Sequence, residues 1–159
     1  SVFAGVLAGE AILVAGMKPG ALRRAGRLGD GWLPYMISAR RYAESLDVVR
    51  AHATEAGRDP TTLTGAVVLF ALVEEDGEAA REHARAHLSS RYGMRFEPHQ
   101  IEKLCIVGSP AECVAKVEEY VEAGVRHFSF NPCAAGDDFL EQCRALSEVV
   151  VEPARRLVT

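Results

Sequence analysis

The sequence predicts an α/β domain in which parallel strands alternate with helices. Three observations carry that reading. Short, continuous apolar runs are spaced along the chain, as in strands buried on both faces. Between them lie longer stretches whose apolar residues recur at helical spacing. Glycine and proline mark the joints. Strand–helix alternation implies a parallel sheet with right-handed crossovers.

The first run, A-I-L-V-A over 11–15, reads as a strand ended by Gly16. Pro19 suits the first turn of a helix. Ala21, Leu22, Ala25 and Leu28 form its apolar stripe, and Gly29 closes it. A second strand spans 31–36, G-W-L-P-Y-M, with Pro34 marking its end because proline cannot donate to a ladder. Ser38 caps a helix carrying Tyr42, Leu46, Val49 and Ala53 on one face. The strongest strand signal is 63–73, L-T-G-A-V-V-L-F-A-L-V, followed by an acidic turn and a helix over 78–92. Residues 93–103 read as irregular, and 104–107 as a short strand or packed coil. Ser109-Pro110-Ala111-Glu112 is a capping box with proline at the first helical position. Its helix runs to Gly124, the last strand spans 126–131, and a final helix spans 137–157, where Pro153 should end or kink it. The order is βα repeated four times, with no composition break between two domains: one domain over 11–159 follows an apolar segment over 1–10.

The chain has 159 residues, 48% of them hydrophobic, which suffices for one domain with a real core. With a net charge of -4 it has no broad basic field, which argues against nucleic acid. No apolar run is long enough to cross a bilayer, and the apolar opening lacks a basic leader. Cys105, Cys113, Cys133 and Cys143 form no C-x-x-C pair and sit in apolar company. The expectation is a cytoplasmic protein without disulfides or structural zinc.

The segment Ala11-Ile12-Leu13-Val14-Ala15-Gly16 followed by Ala21 to Trp32, A-L-R-R-A-G-R-L-G-D-G-W, resembles the strand, turn, helix and G-D-G-W passage of luciferase-like monooxygenases. Gly108 to Glu112, running into Tyr120 to Phe128, is similar to that family's last helix-to-strand passage, and 139–155 to its closing helix. The resemblance implies the C-terminal half of a (β/α)8 TIM barrel, units five to eight. It also implies an oxidoreductase or monooxygenase using FMN or the related deazaflavin coenzyme, acting on a small organic substrate. A complete barrel takes about 250 residues. The runner-up is an open doubly wound sheet, whose G-x-G-x-x-G fingerprint this chain lacks. The alternative function is a non-catalytic flavin-binding or structural half-barrel that self-associates.

Ligands gather at the carboxyl ends of parallel strands, and a helix start there favours phosphate. That geometry singles out the turn Gly16, Met17, Lys18, although every βα turn shares it. The resemblance makes this turn, with Ala15 before it, the holder of the cofactor phosphate or ribityl tail. Tyr35 and Met36 end the second strand on the same rim; the resemblance sets them against the cofactor, while ordinary packing explains them as well. Trp32 reads as a core anchor. Lys103 lies where a lysine of deazaflavin-using relatives meets an anionic substrate, though it is also a plain loop lysine. Asn131 ends the last strand on the presumed rim, where it reaches a ligand or caps a loop. His83 and His87 have metal-chelating spacing but neither a glutamate base nor a third ligand, so no metal is expected. His127 is a proton donor or a structural histidine.

Half a barrel leaves two open edges and exposes its inward face. Three solutions follow: a longer parent protein, a complementary N-terminal half, or a homodimer of two half-barrels, with 2–8 as a possible edge strand.

Overall fold

β1 (Leu13–Ala15) is short because Gly16 follows at φ 110°, a left-handed conformation that ends the extended run. The computed structural model describes residues 11–155. The expected edge strand over 2–8 lies outside them. Contacts divide the chain into two compact units, one taking residues up to Val68 with Glu122–Ser129, the other Leu69–Val121 with the remainder.

In the first unit, α1 (Pro19–Leu28) has Pro19 at its start and buries Ala21, Leu22, Ala25 and Gly26. β2 (Gly31–Leu33) pairs in parallel with β1, Val14 opposite Trp32. The strand stops at Leu33, yet the Pro34 carbonyl still accepts from the Val68 N–H at 2.9 Å. α2 (Ala39–Glu55) is capped as expected, the Ser38 hydroxyl accepting from the Arg41 N–H at 3.4 Å. Its buried face is the stripe read from the sequence, Tyr42, Leu46, Val49 and Ala53. A 3-10 turn (Pro60–Thr62) leads into β3 (Thr64–Val73), whose first residues pair in parallel with β2.

In the second unit, α3 (Gly77–Tyr92) starts at Asp76, whose carboxylate accepts from the Glu78 and Ala79 N–H groups, and stops at Gly93 in the left-handed conformation. α4 (Pro98–Leu104) replaces the irregular segment expected there. Its start is tied by Gln100 Oε1, which accepts from the Glu97 N–H at 2.8 Å. Seven residues are too few to show a helical period, and only Ile101 is fully buried. β4 (Ile106–Gly108) pairs in parallel with Ala71–Val73, which resolves the open reading of 104–107 in favour of a strand. α5 (Pro110–Glu122) begins with the predicted capping box: the Ser109 N–H donates to Glu112 Oε2 at 2.8 Å, and the Glu112 N–H to Ser109 Oγ at 3.4 Å.

β5 (His127–Pro132) pairs with β3, and exposure alternates along it. His127, Ser129 and Asn131 are exposed, Phe128 and Phe130 half-buried. Its direction matches β3, because the Arg126 N–H donates to Gly65 O and the Cys133 N–H to Ala71 O, each at 2.8 Å. The parallel arrangement expected from the alternation therefore holds at every pairing described.

The last helix, expected over 137–157 with an end or kink at Pro153, is interrupted just before that proline. α6 (Asp137–Leu146) gives way to a wider turn (Ser147–Val151) in which the Glu152 N–H reaches Ser147 O, before α7 (Glu152–Arg155). Pro153 supplies the cause: its ring crowds the carbonyl four residues back and it brings no N–H, so the preceding turn widens.

Beyond the end of β5, a side chain takes over the bonding to β3. Gln142 of α6 accepts from the Val73 N–H and donates to the Val73 carbonyl, both at 3.0 Å. Gln142→Leu keeps the size but leaves both backbone groups unpaired in a part-buried setting. We expect a loss of about 2 kcal/mol in urea unfolding, since each orphaned group costs on the order of 1 kcal/mol or more. An unchanged midpoint would show the clamp to be incidental.

Candidate functional site

The turn after β1 is held in one shape by three features. Gly16 sits at φ 110°, and a Cβ placed there would lie 2.9 Å from the Ala21 Cβ, so the position excludes any side chain. The Trp32 indole N–H donates to the Gly16 carbonyl at 2.7 Å. Trp32 is fully buried and stacks on Tyr42 at 5.1 Å between ring centroids, which anchors the turn to the core of its unit. The sequence reading of Trp32 as an anchor is thus correct, and the indole bond to the turn is what that reading missed. Burial also pushes the Tyr42 hydroxyl pKa well above its ordinary value, so the phenol stays neutral.

Lys18 follows in an extended conformation as the N-cap of α1, and its carbonyl accepts from the Ala21 and Leu22 N–H groups. No side chain caps this helix start, and the Lys18 side chain is exposed. The turn therefore presents a helix N-terminus, a backbone free of Cβ crowding and one exposed cation: a setting suited to an anionic group.

Tyr35 and Met36 stand past the end of β2, the neighbour of β1. Ala15 lies opposite Leu33, so the exits of β1 and β2 open on the same end of the sheet. Tyr35 is 41% exposed and bridges to Val68. Met36 has φ 47°, and its N–H donates to the Val68 carbonyl at 3.2 Å. A non-glycine residue in this region stores on the order of 1 kcal/mol or more, and such residues concentrate at ligand sites. The six residues expected from the sequence to hold the cofactor, Ala15, Gly16, Met17, Lys18, Tyr35 and Met36, thus share one rim within the first unit.

The two expected substrate residues belong to the second unit. Lys103 is exposed on α4 rather than on a loop, and Asn131 is exposed near the end of β5. His83 hydrogen-bonds Glu74 at 2.9 Å, which raises its pKa, whereas burial and the nearby Arg91 lower that of His87. Among the described residues no three His, Cys, Asp or Glu side chains converge as metal ligands. The cysteines are free, and burial pushes the Cys113 and Cys133 thiols up to about 12, far from the thiolate needed for nucleophilic or metal chemistry. No helix among the described residues is long and apolar enough to cross a membrane.

An aromatic group around the end of α3 has no counterpart in the sequence reading. Phe70 and Tyr92 meet edge to face at 6.2 Å, Tyr92 and Phe96 at 6.0 Å, and the Arg91 guanidinium lies 5.9 Å above the Phe70 ring. These residues come from three separate segments, so no local motif announces them.

Known proteins match in a consistent way. Over 70 residues the chain is 44% identical to an F420-dependent hydroxymycolic acid dehydrogenase of Mycobacterium tuberculosis, covering 44% of this chain and 19% of that protein. Over 156 residues it is 31% identical to F420-dependent glucose-6-phosphate dehydrogenase 2 of Rhodococcus jostii, covering 84% of this chain and 46% of that one. The structure of an F420-dependent secondary alcohol dehydrogenase in complex with an F420–acetone adduct superposes with a TM-score of 0.75 at 20% identity, over 94% of this chain and 49% of that chain. This chain thus spans less than half the length of both curated relatives. The likeness in structure shows the fold: part of a (β/α)8 barrel in which parallel strands alternate with helices. A profile of the luciferase-like monooxygenase family matches residues 7–127, so the chain belongs to that family.

Proposed function

We propose that this chain is the C-terminal half of a deazaflavin- or FMN-dependent oxidoreductase, and that the turn from Ala15 to Lys18 holds the cofactor's phosphate. The observation that carries the reading is the Gly16 turn, fixed by the Trp32 indole and closed to any Cβ, at the uncapped start of α1. The residues present fit the group. Backbone N–H groups at a helix start and the Lys18 ammonium suit a phosphate. The exposed Tyr35, placed by the strained Met36, offers a ring to the apolar part of the cofactor. Bound deazaflavin or flavin supplies the hydride chemistry, and the chain's own residues position it. The names of both curated relatives favour the deazaflavin F420 over FMN. Exposed Lys103 and Asn131 are assigned to a small organic substrate. The free thiols, three of them buried, accord with a cytoplasmic setting.

The chain's single tryptophan makes the test direct. Titration with F420 and with FMN should quench Trp32 fluorescence saturably for one of them. Gly16→Val should abolish the quenching, and Lys18→Ala should weaken binding by about threefold to tenfold, as for an exposed charge-assisted contact. Binding of neither cofactor, or binding indifferent to Gly16→Val, would overturn the assignment.

A second reading has its own observation. Among the described residues β1 pairs only with β2, so its other edge is unpaired there. A half-barrel that self-associates, binding a flavin without turnover, would cover that edge as a homodimer. A complementary N-terminal half would do the same. Light scattering discriminates: a clean monomer at micromolar concentration excludes the homodimer.

A further inference from the structure

The end of α3 carries a small, preorganised apolar surface with a cation at its border. Gly93, left-handed at φ 62°, turns the chain back immediately after Tyr92. Ser89 then fixes the returning chain twice: its carbonyl accepts from the Met94 N–H at 3.2 Å, and its hydroxyl accepts from the Phe96 N–H at 3.1 Å. Phe70 and Phe96 are buried, while Tyr92, which touches both rings, stays 41% exposed and Met94 53% exposed. Exposed Tyr92 thus stands against two buried rings, and exposed Met94 follows it two residues along the same turn.

Arg91 borders this surface over the face of Phe70. Its neighbours Arg85 and Arg95 are engaged by Glu82 and Glu97, but no ion pair joins Arg91 to a described carboxylate. A guanidinium resting on a ring keeps its N–H donors in its own plane, at the edge, where they match a carboxylate, phosphate or sulfonate. Its charge is felt at His87 and at Cys133, and neither is an anion that could neutralise it. A cation without a counter-ion among the described residues, beside exposed Tyr92 and Met94, suits a ligand with one anionic group and an apolar body.

We propose that Arg91, Tyr92 and Met94 form a binding site for an amphipathic anion, with Arg91 taking the anionic group and Tyr92 and Met94 the apolar portion. The site goes beyond the cofactor reading and does not depend on it.

The test uses two fluorescent probes, 8-anilinonaphthalene-1-sulfonate and its uncharged counterpart N-phenyl-1-naphthylamine, titrated into the full chain without cofactor. Saturable binding of the sulfonate is expected. Arg91→Gln should weaken it about tenfold while leaving the uncharged probe within twofold. Arg91→Lys should fall between, because it keeps the charge and loses the planar fork. Tyr92→Ala should weaken both probes. Circular dichroism melts confirm that each variant folds. The proposal falls if Arg91→Gln leaves sulfonate binding unchanged, if it weakens both probes equally, or if F420 or FMN displaces the sulfonate, which would assign Arg91 to the cofactor. Failure of the cofactor titration leaves these arms intact, so the two readings fail separately.

Discussion

Trp32→Ala should destabilise the protein by about 4 kcal/mol in urea or thermal unfolding, the cost of emptying a fully buried tryptophan site. Two effects add there: the stack on Tyr42 disappears, and the Gly16 carbonyl is left without its donor. Trp32→Phe separates them. Phenylalanine keeps a ring against Tyr42 but has no N–H, so the expected stability loss falls to about 1.5 kcal/mol. The same variant should weaken cofactor binding by about fivefold, because the turn proposed to receive the phosphate is no longer latched; partial weakening of a charge-assisted hydrogen bond is worth roughly that. Absorbance or cofactor fluorescence replaces the missing tryptophan signal. Wild-type affinity in Trp32→Phe would disconnect the indole bond from the site.

A second large effect is expected at Gly26. On an isolated helix, glycine to alanine stabilises by about 1 kcal/mol. Here the sign should reverse. A Cβ at Gly26 would run into the Val49 carbonyl and lie 2.8 Å from the His52 Cβ and 2.9 Å from the Ala53 N, all on α2. None of these is the end of a flexible side chain, so α1 and α2 must part. The Gly26 carbonyl also accepts from Arg58 at 2.7 Å, which ties the chain after α2 to the same spot. Gly26→Ala should therefore cost about 3 kcal/mol net, at the upper end of overpacking penalties. A rise in the urea midpoint would show that the two helices have room to spare.

Features encoded within a few neighbouring residues were legible in the sequence. The Ser38 cap, the Ser109–Glu112 capping box and the apolar face of α2 each depend on short-range spacing, and each occurs where the pattern put it. The strand alternation also implied the parallel sheet and, with the resemblance, the family. Features that depend on distant residues were not legible. α4 is too short for periodicity, whereas the break before Pro153 was expected from the proline itself. At the candidate site, the glycine turn and its lysine could be read, because a strand end followed by proline marks a helix start. The indole bond across 16 residues, the strain at Met36 and the rings joined by Tyr92 could not, since each needs the chain already folded.

The Gln142 amide has a mechanical consequence. Its two bonds to Val73 fix how α6 is positioned along β3, on a helix that leaves Phe139 and Leu140 exposed. Apolar side chains tolerate a slide by one turn; a donor–acceptor pair aimed at a single peptide unit does not. Under load or on heating, α6 should therefore detach as a whole instead of creeping, and its loosening should appear in hydrogen exchange as one event shared with the Val73 amide.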